Sequence, residues 1–319
     1  MSGVSIIIFL TVWLDLSPVS YESGLWGFAP HKLINRYAVF TLPPEMLKFY
    51  KYHIHYISEQ AVAADHRRYV LPDEGPRHYI DLDYYGTAVP RQWETFLSMF
   101  PADSIQDHGV LPWNLYLLKF RLTEAFRKGD LRNILRLSAD GGHYLADAHV
   151  PLHTTSNYNG QFTGQHGIHG FWETRIPELL ITEFDLWVGG AEYQHNWYQT
   201  LWGIVLSSHN AVDSVLVSEY ELTKNFPSDQ KYSFEVRLNR FRKVYSMSFC
   251  RAYHQMLDKQ VERKFRAAIR AVGNFWYTCW VDAGQPDLSR MLSTLEPDYY
   301  DYQQFADSLW LKQHQIRSQ

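Results

Sequence analysis

The stretch GGHYLADAHVPLH, residues 141–153, holds three histidines around one aspartate, with small residues between them. His143 and Asp147 stand four apart, so on a helix they share one face. Pro151 cannot continue such a helix, and the turn it starts sends His153 along a new path. Sixteen residues after His153, the stretch HGFWE repeats the device with His169 and Glu173 again four apart.

Outward from this stretch, helical periodicity dominates. Residues 113–128 carry Leu115, Leu118, Leu122 and Phe126 at the spacing of one helical face. Asp130 reads as the N-cap of the next helix, running through Ile134, Leu135 and Leu145 to about Ala148. Residues 191–223 and 233–281 read as two further long helices, the second bent near Gly273. Period-two alternation between turn signals is nearly absent, which argues against a sheet-based fold. Connections rich in Pro and Gly fall near residues 43–44, 72–76, 101, 151–170 and 284–286. The expected architecture is all-α: a single multi-helix domain over residues 26–285 with long loops around the His-rich stretches, followed by a polar C-terminal extension over 286–319.

The chain has 319 residues, enough for a sizeable core, and 46% of them are apolar. Its net charge is −4 and no long basic run occurs, which argues against extensive neutralisation of duplex phosphates. An anionic substrate stays open, because bound cations supply positive charge locally. The 15 histidines are the unusual feature. Cys250 and Cys279 are the only cysteines and form no CxxC pair, so a metal site would rest on His and carboxylate. Whether the two form a disulfide is not legible from sequence. The apolar run from Val4 to Leu14 is too short to span a bilayer and suits the core of a leader over residues 1–25, although no basic residue precedes it. The expected location is secreted or periplasmic, with no transmembrane span.

Each chemical motif has a plain reading of its own. A lone His-x3-Asp is usually an ion pair, and HGFWE can be core aromatics beside a solvated carboxylate. Joint occurrence gives them weight. The order Trp26-x4-His31, Asp65-x12-His78-Tyr79-Ile80-Asp81, His143-x3-Asp147-x5-His153, His169-x3-Glu173 resembles the trinuclear zinc phosphodiesterases. That superfamily holds the bacterial zinc-dependent phospholipases C and the single-strand-specific nucleases of the S-one/P-one type. The resemblance spans about residues 26–179.

It implies three Zn²⁺ ions. Asp65, His78, His143 and Asp147 would hold the first; His153, His169 and Glu173 the second, with a position open for water. Trp26, through its backbone amine and carbonyl, would hold the third with His31 and the bridging Asp147. That third site requires cleavage between Leu25 and Trp26, and Leu25 is not the small residue a signal peptidase prefers; with Trp26 internal, two zincs are expected. Six positive charges against three carboxylates would draw in a phosphodiester, and water between two zincs would lose a proton near neutrality and attack phosphorus. Asp65, Asp147 and Arg68 would be catalytic, Arg68 adding charge at the phosphate. His166 is an extra loop histidine, not a ligand.

Within the resemblance, Tyr79 and Asp81 match the nuclease branch, where a ring stacks on a base and a carboxylate bonds its edge. Single-stranded nucleic acid or nucleotides are then the expected substrate. The phospholipase branch cages a choline cation with aromatics and a carboxylate; Ala29, His66 and Gly75 at the corresponding positions do not build that cage, whereas Glu173 is the phospholipase choice. Phospholipid is the alternative substrate. A different class also stays open: a non-catalytic domain stabilised by structural zinc, although such sites are usually closed by four ligands and favour Cys.

Overall fold

The computed structural model describes residues 29–237 and 240–292. The expected leader, Trp26 and the extension beyond residue 292 lie outside the described residues. Asp130 begins the central element as expected: its carboxylate accepts from the Asn133 backbone N–H at 3.1 Å, the preferred chemistry for an N-cap. The helix that follows spans Leu131–His149, and from Leu137 to its end every residue is buried. The preceding helix, Leu111–Lys128, ends where Gly129 takes φ +66° and packs back along it. The helices Gln260–Asp282 and Ala29–Ala38 cover its other sides.

Two glycines make that close packing possible. A Cβ on Gly141 would lie 2.3 Å from Phe275 Cε1, and one on Gly142 would lie 1.8 Å from Asn35 Oδ1. Asn35 is itself fixed, its amide donating to the carbonyls of Ile57 (3.1 Å) and Ala139 (3.2 Å). Ser138, one turn earlier, joins further partners: its hydroxyl meets Tyr50 Oη at 2.8 Å and its carbonyl accepts from Trp276 Nε1 at 3.0 Å. Tyr50 and Trp276 stack at 4.7 Å. At roughly 25 cal/mol per Å² of apolar surface buried, these large rings make the central helix the anchor of the core.

The all-α expectation holds, with one two-stranded sheet among the described residues, but two long helices are corrected. Residues 191–223 divide. Residues 191–194 are non-helical, with N–H groups bonded outward, Ala191 to the Thr41 carbonyl (2.7 Å), Glu192 to Asn274 Oδ1 (2.7 Å) and Gln194 to Thr278 Oγ1 (3.0 Å). Asn196 then caps Trp197–His209, and Val212–Asn225 follows. Residues 233–281 divide further. Tyr232–Arg237 and Arg240–Tyr245 form an antiparallel hairpin, paired from Tyr232↔Tyr245 to Arg237↔Arg240. Met247–Met256 is a separate helix, and Asp258 and Lys259 at φ +48° and +56° turn the chain into Gln260–Asp282. That helix passes through Gly273 without a break; the glycine is there for contact, since a Cβ would meet Thr41 Oγ1 at 1.9 Å.

The boundary at residue 285 is less sharp than expected. Leu288 is buried, and Trp280 Nε1 donates to the Pro286 carbonyl at 3.0 Å, so the described start of the extension stays on the domain. Cys250 and Cys279 are both buried and free. No helix among the described residues is long and apolar enough to cross a membrane.

Candidate metal centre

The central helix delivers His143 and Asp147 on one face, one turn apart, with His143 Nε2 3.3 Å from Asp147 Oδ2. Close approach at Gly142 brings in the Ala29–Ala38 helix, on which His31 lies one turn before Asn35. The His31 and His143 rings stack at 4.3 Å, and His31 Nε2 lies 3.6 Å from Asp147 Oδ1. The short Gly75–His78 turn contributes His78, whose Nδ1 is 2.9 Å from His143 Nε2 and 3.0 Å from Asp147 Oδ2. Asp65, on the Ala63–Arg67 helix, completes this half at 4.0 Å from both imidazole nitrogens.

The second half grows from the break after the central helix. Pro151 opens a short turn, Pro151–Thr154, that carries His153. Its Nδ1 donates to the His78 carbonyl at 2.7 Å, and Ile80 N–H donates back to the His153 carbonyl at 2.9 Å, joining the halves through backbone. His169 stands on Ile168–Gly170 and Glu173 on the π-helical turn Phe171–Arg175, a wide geometry frequent at functional sites. His169 Nε2 lies 2.7 Å from Glu173 Oε2 and 3.1 Å from His153 Nε2. Glu173 Oε1 reaches back to His31 Nε2 at 3.1 Å, so the halves also meet through side chains.

Three groups emerge in which the donor atoms lie within 4.8 Å of one another: His31, His143 and Asp147; Asp65, His78 and His143; His153, His169 and Glu173. A tetrahedral shell with bonds of about 2.0–2.1 Å separates its donors by roughly 3.3 Å, and the spacings here fall on either side of that value. The donor chemistry also fits a cation. Because His153 commits its Nδ1 hydrogen to a carbonyl, neutral imidazole leaves a lone pair on Nε2, facing the Glu173 carboxylate at 3.4 Å. Such a convergence of lone pairs requires positive charge at its centre. Burial alone would depress His143 and His153, but the carboxylates around them outweigh it and hold both at about 9. Asp147 and Glu173 resist burial in the same way and stay well below the usual carboxylate range, His143 and His153 being the respective causes. Protons can balance the cluster, and a divalent ion bound there would displace them.

The remaining expected residues sit differently. Arg68 is half exposed with Nη1 3.7 Å from Asp65 Oδ1. The Tyr79 hydroxyl donates to the carbonyls of Gln106 (3.1 Å) and Asp107 (3.2 Å), which ties the ring to the neighbouring wall. Asp81 joins no metal group; it is buried, accepts from His108 Nδ1 at 2.9 Å, and burial pushes its carboxyl up to about 6 against the pull of His108. His166 is exposed and outside the cluster.

Sequence reasoning missed the support behind His78. Glu74 is 1% exposed and accepts from Arg67 Nη2 (3.1 Å), from Arg77 Nη1 (3.0 Å) and from the Tyr144 hydroxyl. Arg67 also donates to Asp140 Oδ1 at 3.0 Å. Glu74 Oε1 lies 4.0 Å from the outward Nε2 of His78, the side on which ligating histidines meet an orienting carboxylate. The signal was present: Glu74 and His78 are again a carboxylate and a histidine four apart. Asp83 was also missed; it accepts from Ser156 N–H (3.0 Å) and Thr155 Oγ1 (3.0 Å) and so fixes the loop after His153.

No protein-family model matches this chain, and no curated protein matches it.

Proposed function

We propose that this protein is a zinc-dependent phosphodiester hydrolase, similar to the trinuclear zinc phosphodiesterases and nuclease-like in substrate. The observation that supports it best is the interlocking of three His/carboxylate groups, with Asp147 and Glu173 each facing ligands of more than one group. An isolated structural site would need one closed set of four; here His153, His169 and Glu173 form a set of three at the accessible side, as an open catalytic position requires.

Zinc at these positions would supply Lewis acidity and a bound water acidified toward neutrality. The chain's own residues prepare for that. His31, His143 and Asp147 stand on packed helices and His78 on a short buried turn, so the donor atoms are fixed before substrate arrives. Arg68, half in solvent beside Asp65, can pair with a phosphate oxygen as charge develops. Tyr79 offers a ring already anchored through its hydroxyl, suited to stacking on a base. One residue favours the phospholipase alternative, Glu173, where the nuclease branch has Asp.

The zinc-loaded protein is expected to hydrolyse bis-p-nitrophenyl phosphate, and Asp147→Asn to abolish turnover. Full zinc occupancy without turnover of any phosphodiester would make the cluster structural. Single-stranded DNA or RNA against phosphatidylcholine separates the branches; hydrolysis of lipid alone would overturn the nuclease-like reading.

A further inference from the structure

The hairpin of residues 232–245, YSFEVRLNRFRKVY, carries Arg237, Arg240, Arg242 and Lys243 against the single acid Glu235. It is thus net +3 in a chain of net −4, and the rest of the chain carries −7. Residues directly opposite in the register share a face. Tyr232 with Tyr245, Phe234 with Lys243, and Val236 with Phe241 therefore lie on one side, and Glu235 with Arg242 on the other. On the first face Phe234, Val236 and Phe241 are 71%, 63% and 80% exposed. Nothing among the described residues covers them.

The root is firm. Tyr245 stacks on Phe171 at 4.0 Å, Arg175 Nε donates to the Tyr245 carbonyl at 3.1 Å, and Arg175 Nη1 donates to Glu235 at 3.3 Å. An isolated two-stranded hairpin is marginal in water, so this one stands by its root and presents a bare distal face. Exposed contiguous apolar surface marks an interaction site.

We propose that this hairpin docks the protein on an anionic lipid surface. The face is graded as an interface demands: tyrosines, each apolar with a polar tip, at the root, and Phe and Val toward the end. Its cations match anionic head groups, and the long arginine stems of the opposite face reach around a two-stranded ribbon. Lys243 does stand on the ring face, over Tyr232 at 3.9 Å, but Arg242 projects from the opposite face and Val236 offers no stacking surface, which a lipid boundary accepts and a run of stacked bases does not. A second copy would bring +3 against +3. The outer edges of both strands carry unpaired backbone groups, which limits the hairpin to the head-group boundary. Its root lies in the Phe171–Arg175 turn that carries Glu173, so docking would hold the metal centre in fixed relation to the lipid. The proposal stands whatever that centre hydrolyses.

Vesicle flotation of the full chain tests it, with phosphatidylcholine vesicles against equimolar phosphatidylcholine and phosphatidylglycerol. Co-flotation is expected with the anionic vesicles alone and is reversed by salt. Phe234→Ser with Phe241→Ser should lower the bound fraction by about tenfold or more, with bis-p-nitrophenyl phosphate turnover unchanged. Arg240→Glu with Lys243→Glu, at exposed positions, should remove binding as well; circular dichroism checks that both variants fold. The proposal is overturned if the wild type floats with neither vesicle, or if both variants float like the wild type. It is equally overturned if, without vesicle binding, the substitutions abolish a dimer seen by sedimentation or retention of a single-stranded oligonucleotide.

Discussion

The two halves of the candidate metal cluster are built to different standards. In the deep half, the side chains of His31, His78, His143 and Asp147 are at most 5% exposed and stand mainly on helices packed through Gly142, with Asp65 at its edge 15% exposed. In the shallow half, His153, Glu173 and His169 are 11%, 15% and 26% exposed and stand on short turns. The fold itself positions the first set, because its ligands are also core residues. Local turns position the second, which opens toward solvent. A core-embedded ligand therefore serves stability and chemistry together, while a rim ligand can be lost with the fold intact.

The comparison breaks most visibly in chelator-treated protein. His143→Ala strips a buried carboxylate, Asp147, of its main partner, and removing one member of a buried pair costs about 3–5 kcal/mol. His169→Ala, at the rim, should cost under about 1 kcal/mol. Urea unfolding of both variants measures the difference; equal losses would erase the distinction between halves. Both variants should lose phosphodiester turnover once zinc is restored.

Gly142→Ala tests how the deep half is assembled. The new methyl meets an Asn35 amide pinned by two hydrogen bonds, and overpacking of this kind costs about 1–3 kcal/mol. It should also displace His31, lowering metal content at the deep half while His153, His169 and Glu173 retain theirs.

The smallest effect lies behind the cluster. Lys264 lines a cavity with His31 and Glu173, and burial, with a minor contribution from Arg263, pushes its ammonium down to about 8. A base whose folded value lies below its unfolded one makes the native state bind fewer protons between those values, so wild-type stability rises with pH from about 8 to 10.5. Lys264→Met should therefore be more stable than the wild type at pH 7, by of order 1 kcal/mol. That advantage should fade over this window, as denaturant midpoints at several pH values will read.

The central helix and the two four-residue pairs, His143/Asp147 and His169/Glu173, were the most legible parts of the sequence. Asp130, the apolar periodicity after it and the His143/Asp147 spacing are local signals that agree with one another, and the structure keeps all three. His31 had no local signal and gained meaning only from its order along the chain, while His78 had one, Glu74 four residues before it, that went unread. The long-range features escaped. Non-helical residues 191–194 bond outward to Thr41, Asn274 and Thr278, none of them near in sequence. The engagement of Asp81 by His108 depends on a contact 27 residues away. The hairpin was readable, since Tyr232, Phe234 and Val236 alternate with polar residues, but the helical pattern on either side masked it.

Anomalous scattering at the zinc edge, from crystals of the purified protein grown near neutral pH, tests the central claim most directly. The account predicts separate zinc peaks, one among Asp65, His78, His143 and Asp147 and another among His153, His169 and Glu173. A map without either peak, with the same side chains joined only by protons, would contradict it.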